Sequence, residues 1–108
     1  MKSPLQITVY GRKEICPSCV GAPGSWDTFE WLQAAIGRKF GVEKFRYTYI
    51  DMDQKQSDDK HREFIEHIIE EDRFYPVLLM NNEIIAEGNP NLKTVFNVIE
   101  SYGIQPIN

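Results

Sequence analysis

Long apolar runs are missing from this chain of 108 residues, and so is any excess of positive charge. Without a stretch of roughly 20 consecutive apolar residues, no transmembrane helix is expected. The opening Met1-Lys2-Ser3-Pro4, followed by Leu5-Gln6-Ile7-Thr8-Val9-Tyr10, is too short and too interrupted for the apolar core of an export signal, so the expected compartment is the cytoplasm. Twelve Lys and Arg against 16 Asp and Glu give a formal net charge of -4, which argues against nucleic acid or an anionic membrane as a partner. Cysteine is scarce, with 2 in the chain, and histidine equally so. Where thiols are kept reduced, an isolated cysteine pair points to catalysis or metal binding rather than to a structural staple.

What is present is the balance of a globular protein: 42% hydrophobic and 26% charged residues, in a length that suits a single domain over residues 1–108. Leu5 to Tyr10 alternates apolar and polar and is rich in β-branched residues, which predicts a first strand ended by Gly11. From Ser25 the spacing of Phe29, Leu32, Ile36 and Phe40 predicts a helix, with Ser25 as its cap and Gly41 as its stop. Lys44 to Asp51 reads as a second strand, and a second helix follows from about Ser57 with Phe64, Ile65, Ile68 and Ile69 along its buried stripe. Pro76 opens the fully apolar Val77-Leu78-Leu79-Met80, Asn81-Asn82 turns the chain, and Glu83 to Glu87 returns it. A last helix carries Leu92, Val95, Phe96, Ile99 and Tyr102 on one face.

The order is therefore β-α-β-α-β-β-α, an α/β chain with a mixed four-stranded sheet and helices on both faces. Strands separated by helices are expected to run parallel through right-handed crossovers, and the final pair, joined by a short turn, antiparallel.

The chemistry sits in Cys16-Pro17-Ser18-Cys19, between the first strand and the first long helix. Sulfurs three positions apart at the start of a helical turn can close into a small disulfide ring with little backbone movement. Free N–H groups at such a start favour the thiolate, which makes Cys16 the nucleophile. Pro17 suits the first helical position because its missing N–H would have had no partner there. Cys19, one turn on, is the resolving thiol that attacks a mixed disulfide formed at Cys16. The neighbouring charges oppose one another, Arg12 and Lys13 favouring a thiolate and Glu14 disfavouring it.

Here the residues resemble a known group. Ile7-Thr8-Val9-Tyr10, a short loop and Cys16-Pro17-Ser18-Cys19 look like the start of a glutaredoxin, and Tyr75-Pro76-Val77-Leu78-Leu79-Met80 resembles the cis-proline strand of the thioredoxin and glutaredoxin superfamily. Tyr49-Ile50-Asp51-Met52-Asp53 is similar to the end of that superfamily's second strand. Over essentially the whole chain the sequence resembles the bacterial YuzD-like family of disulfide oxidoreductases, through Cys16-Pro17-Ser18-Cys19-Val20, Asp27-Thr28 to Trp31-Leu32, Phe74-Tyr75-Pro76 and Glu87-Gly88-Asn89-Pro90. The resemblance implies a thioredoxin-like fold. It also implies that Pro76 lies in cis form beside the cysteines and that the backbone of Tyr75 pairs with an extended substrate strand. The glutathione-binding Gly-Gly-x-Asp segment of glutaredoxins is replaced here by Glu87-Gly88-Asn89-Pro90, and Ile15 stands where thioredoxins have Trp.

Two function classes follow. One is a thiol–disulfide oxidoreductase acting through Cys16 and Cys19 on a disulfide-containing protein or a small thiol, with no cofactor and no resident metal. The other is a non-catalytic thioredoxin-like binding module, in which a cysteine pair pooled across a dimer holds a metal or an iron–sulfur cluster. A closed metal site takes more ligands than one pair supplies, so that version needs a second copy or help from His61 or His67. Those histidines lie among charged residues and are expected at the surface. Trp26 is expected to help cover the core, Trp31 to pack under the Val20 to Gly24 loop rather than mark a partner surface, and Tyr75 to belong to an apolar platform beside the cysteines.

Overall fold

The alternation along Leu5–Gly11 forms β1, and the remaining elements are α1 (Ser25–Phe40), β2 (Phe45–Asp51), α2 (Asp59–Glu70), β3 (Val77–Met80), β4 (Glu83–Glu87) and α3 (Leu92–Ser101). The computed structural model describes residues 4–12, 24–54, 56–73, 75–88 and 90–107. The strands lie in the order β2-β1-β3-β4, so β1 and β3 are interior and β2 and β4 form the edges. β2 runs parallel to β1, with Val9 opposite Tyr49, whereas β3 runs antiparallel to β1, with Tyr10 opposite Val77. β4 is antiparallel to β3, with a bulge between Leu78 and Leu79.

Period-two alternation divides the interior strands between two cores. Leu5, Ile7 and Val9 of β1, with Leu78 and Met80 of β3, pack against Phe29, Leu32, Ile36 and Phe40 of α1 and Val95 and Ile99 of α3. On the other face Tyr10, Val77 and Leu79 pack with Ile50, Met52 and the α2 residues Ile65 and Ile68. Two helices thus cover one face and one helix the other, and the mixed four-stranded α/β arrangement is the expected one. Side chains such as Leu32, Ile36 and Ile99, at 1%, 0% and 0% exposure, each contribute on the order of 2–3 kcal/mol by burial.

The direction of β3 departs from the expectation of parallel strands. The chain leaves β2 beside Gly11 and enters β3 beside Tyr10, so it returns to the end of the sheet it left. Contacts at both ends of α2 give the reason: His61 bonds Tyr10, and Ile68 packs in the cluster of Tyr10, Met52 and Val77. A helix lying across one end of the sheet delivers its strand back at that same end, which forces antiparallel pairing. Gln6 and Thr8, on the α2 face farther from that end, are correspondingly less covered than Tyr10.

The caps explain where the helices begin and stop. Gly24, in extended conformation, is the cap of α1, in place of the expected Ser25. Ser25 is the first helical residue, and its hydroxyl instead accepts from the Arg12 N–H at 3.2 Å. Asp58 caps α2 by accepting from the Lys60 N–H at 2.8 Å, and Asn91 caps α3 in the same way through Lys93. Gly41, at φ 89°, terminates α1 as expected, and Asn81 and Asn82, at φ 47° and 71°, make the β3–β4 turn. Among the described residues, no helix is long and apolar enough to cross a membrane.

Candidate functional site at the carboxyl end of β1

Cys16 and Cys19 lie outside the described residues, but the chain on either side of their stretch is described. Arg12 follows β1, and Ser25 opens α1. The Arg12 N–H donates to the Ser25 hydroxyl, so the chain on one side of the cysteines is tied directly to the chain on the other. Ser25 also hydrogen-bonds the Tyr49 hydroxyl, whose pKa is raised by burial and the nearby Asp51 and Asp53 against the opposing effect of that hydrogen bond. Gly11 makes the junction possible. A Cβ there would lie 2.4 Å from Ser25 Cβ and 2.6 Å from Tyr49 Oη, distances that no side chain tolerates.

Pro76 and Tyr75 stand directly across from this junction. The Tyr75–Pro76 peptide bond is cis, Pro76 is buried, and Val77 pairs with Tyr10. The guanidinium of Arg12 lies over the Tyr75 ring, 5.4 Å from its centroid, and its Nε is 3.4 Å from Asp53 Oδ1. Thus the residue from which the chain departs toward Cys16 touches the residue that precedes the cis proline. The Pro76 carbonyl accepts from the Gly88 N–H at 2.9 Å, and Arg73 bridges Glu71 at 2.7 Å and Glu87 at 2.8 Å. Those contacts bring Glu87-Gly88, singled out in the sequence, alongside Tyr75-Pro76.

Beside Tyr75 opens a cleft of about 130 Å³. Met52, Ile68 and Tyr75 line it as apolar surface, Arg12 and Arg73 stand at its sides, and Ile69 and Asp72 complete it. Tyr75 is half-buried here. Ile69, expected on the buried stripe of α2, is instead 54% exposed, because the core under α2 is filled by Ile65 and Ile68 and the helix ends before anything covers its next turn.

Two further residues differ from expectation. His61 is half-buried rather than on the surface, with Nδ1 2.8 Å from the hydroxyl of Tyr10, itself 1% exposed. Burial, helped by the charge of Asp58, pushes the Tyr10 phenol up to about 12. The phenol in this hydrogen bond is therefore un-ionised at neutral pH. Trp31, expected to pack under the Val20 to Gly24 loop, most of which lies outside the described residues, is 46% exposed. Trp26, at 52% exposure, covers the core as expected with one side of its ring, which meets Tyr49 edge-on at 5.0 Å and Phe29 at 5.4 Å. His67 is exposed as expected and pairs with Glu71 at 3.1 Å. Among the described residues, no group of three or more His, Cys, Asp or Glu is arranged to hold a metal ion.

Sequence reasoning passed over Met52, Arg73 and the Arg12–Tyr75 contact, since nothing local marks residues that meet only through β3 and the end of α2. The bonded His61–Tyr10 pair had one legible sign: Tyr10 shares the even-numbered face of β1 with polar neighbours, so a buried phenol there needs a polar partner.

A mixed β2-β1-β3-β4 sheet between helices, with a cis proline opening β3 beside the end of β1, defines an α/β protein whose candidate site is at the carboxyl end of β1. The family model described as "Protein of unknown function (DUF1462)" matches residues 8–100, and the chain belongs to that family. A protein of Bacillus subtilis (strain 168) named "Putative disulfide oxidoreductase YuzD" is 39% identical over 103 residues, covering 95% of each chain, which bears out the resemblance to YuzD. A crystal structure of a Staphylococcus aureus protein, described as "Protein of Unknown Function SA0789", matches with a TM-score of 0.79 at 39% identity, over 92% of this chain and 91% of that one.

Proposed function

We propose that this chain is a thiol–disulfide oxidoreductase of thioredoxin-like fold, working in the cytoplasm through Cys16 and Cys19 on a disulfide in a protein or small thiol. The observation that carries the reading is the contact of Arg12 with Tyr75. It sets the departure of the cysteine-bearing stretch against the cis-proline start of β3. The name of the Bacillus relative supports the same chemistry. In the reaction the Cys16 thiolate attacks one sulfur of the substrate disulfide, forming a mixed disulfide and releasing the other substrate sulfur as thiolate. Cys19, deprotonated, then attacks the Cys16 sulfur. The Cys16–Cys19 disulfide forms, and the second substrate thiolate leaves. The substrate gains two electrons and the cysteine pair loses them, so a thiol reductant must restore the pair for each turnover. Tyr75 and Pro76, just ahead of β3, offer the backbone with which an extended substrate pairs.

An insulin reduction assay with dithiothreitol tests this proposal. Turnover above the uncatalysed rate, abolished by Cys16→Ser and stalled at a trapped mixed disulfide by Cys19→Ser, is the expected result. Equal rates for parent and Cys16→Ser would defeat it. Alkylation of the parent across pH supplies the second readout, with a Cys16 thiol ionising below the usual range for cysteine as the expected outcome.

One observation favours a second reading, a binding module without turnover. The cap of α1 is Gly24, which follows Cys19 in the sequence, so the dipole of the 16-residue helix starts at Gly24 and neither cysteine belongs to that helix. Metal or cluster held by a cysteine pair shared between two copies is the form of that reading which can be measured. Metal analysis of protein purified without air, showing stoichiometric metal lost on Cys16→Ser, would establish it.

A further inference from the structure

The cleft beside Tyr75 belongs to no step of the exchange reaction, yet it lies next to the strand start at which a substrate would pair. Its volume of about 130 Å³ equals that of roughly four waters, which suits one aliphatic side chain. Its apolar surface comes from Met52, Ile68 and Tyr75, and Ile69 extends that surface outward at 54% exposure.

The surrounding charge is one-sided. Residues 51–72 hold nine of the chain's 16 carboxylates but three of its 12 Lys and Arg. The two arginines at the cleft are engaged, Arg12 with Asp53 and Arg73 with Glu71 and Glu87. Among the described residues, Glu66, Glu70 and Asp72 take part in no ion pair. Glu66 lies one helical turn before Ile69, Glu70 is adjacent to it, and Asp72 lines the cleft itself. An apolar socket flanked by uncompensated negative charge selects for an apolar group flanked by positive charge.

We propose that the cleft of Met52, Ile68, Ile69 and Tyr75 seats an aliphatic side chain of an extended polypeptide substrate that carries Lys or Arg within a few residues of it. This deepens the oxidoreductase reading and rests on it, naming a basic polypeptide rather than an anionic small thiol as the class that the site takes. The backbone would follow the start of β3 and the side chain would enter the cleft, while the cations would lie along the end of α2.

Peptide binding to the full chain bearing Cys16→Ser and Cys19→Ser tests the inference without any electron transfer. Three synthetic peptides are titrated calorimetrically: one with leucine flanked by lysine and arginine, one with the cations replaced by glutamate, and one with the leucine replaced by serine. The basic leucine peptide is expected to bind at least about tenfold more tightly than either of the others. Its advantage over the acidic peptide should shrink as salt shortens the screening length to about 3 Å near 1 M. Ile69→Ser should cost about tenfold in affinity for the leucine peptide. Because Ile69 is exposed, the fold should survive, and circular dichroism checks that it does. The pair Glu66→Lys and Glu70→Lys should reverse the preference between basic and acidic peptides, providing a readout independent of Ile69. Equal affinity for the basic and acidic peptides, or no effect of both sets of variants, would overturn the inference. If the parent reduces insulin but its serine form shows no peptide preference, the cleft proposal alone falls. A retained preference without turnover in the parent would instead overturn the oxidoreductase reading.

Discussion

Replacing Gly11 by alanine should destabilise the protein by about 3 kcal/mol, and the structure allows the figure to be worked out. The added Cβ would sit 2.4 Å from Ser25 Cβ, where carbon atoms prefer about 3.5–4.0 Å, and 2.6 Å from Tyr49 Oη. Tyr49 can swing its ring aside, but Ser25 Cβ moves only with the backbone of α1. Phe29, Leu32, Ile36 and Phe40 hold that helix in the core. Relief therefore requires a backbone shift, which typically costs about 1–3 kcal/mol. Shifting Ser25 also threatens its hydrogen bonds with the Arg12 N–H and with Tyr49, each of which contributes about 1 kcal/mol. At about 4–8 °C per kcal/mol for a domain of this size, Tm should fall by roughly 10–25 °C in a thermal melt followed by circular dichroism. Gly37→Ala is the matched control: its Cβ meets only Val42 Cγ1, at 3.1 Å, and Val42 is 70% exposed and able to yield. That variant should be neutral or stabilised by about 0.5 kcal/mol through better helix propensity. A Gly11→Ala protein melting within about 3 °C of the parent would refute the argument that the β1–α1 junction is closed by steric contact.

The remaining predictions concern other parts of the fold. Burial lifts the phenols of Tyr10 and Tyr47 to about 12, with Asp58 adding to the effect at Tyr10. A folded pKa raised above the unfolded value gives stability that is whole below about pH 10 and is lost as pH rises through about 12, so urea midpoints should decline across that window. Tyr10→Phe should flatten the decline. Asn82 sits at φ 71° in the β3–β4 turn, so Asn82→Gly should raise stability by up to about 1 kcal/mol, whereas Asn82→Val should lower it by about 1–2 kcal/mol. Asp58→Ala removes the acceptor of the Lys60 N–H and should cost about 1 kcal/mol in chemical denaturation, with unchanged m value.

The parts of the site that read directly from sequence are those marked by local chemistry. The Cys16–Cys19 spacing and a proline at the head of an apolar strand are recognisable without any partner in view. The cis bond at Tyr75–Pro76 agrees with what the superfamily resemblance implied, and Gly88 donating to the Pro76 carbonyl joins two motifs that lie far apart in the chain. Arg12 was visible as a charge near the cysteines, but its engagement with Asp53 and the Tyr75 ring was not. His61 was misplaced for the same reason: its helical neighbours are charged, while the group that buries it, Tyr10, comes from β1.

Periodicity within each segment determined the elements, because a side chain's face is fixed by 3.6 or two residues per repeat whatever lies opposite. It therefore gave β1, the stripe of α1, the apolar β3 and the order of elements. Tertiary structure decided the rest: that β3 runs antiparallel to β1, that Ile69 stays half in water, and that Arg12, Met52 and Tyr75 enclose one cleft. These depend on where α2 crosses the sheet and where it ends. Packing among distant segments sets that position, and no local repeat encodes it.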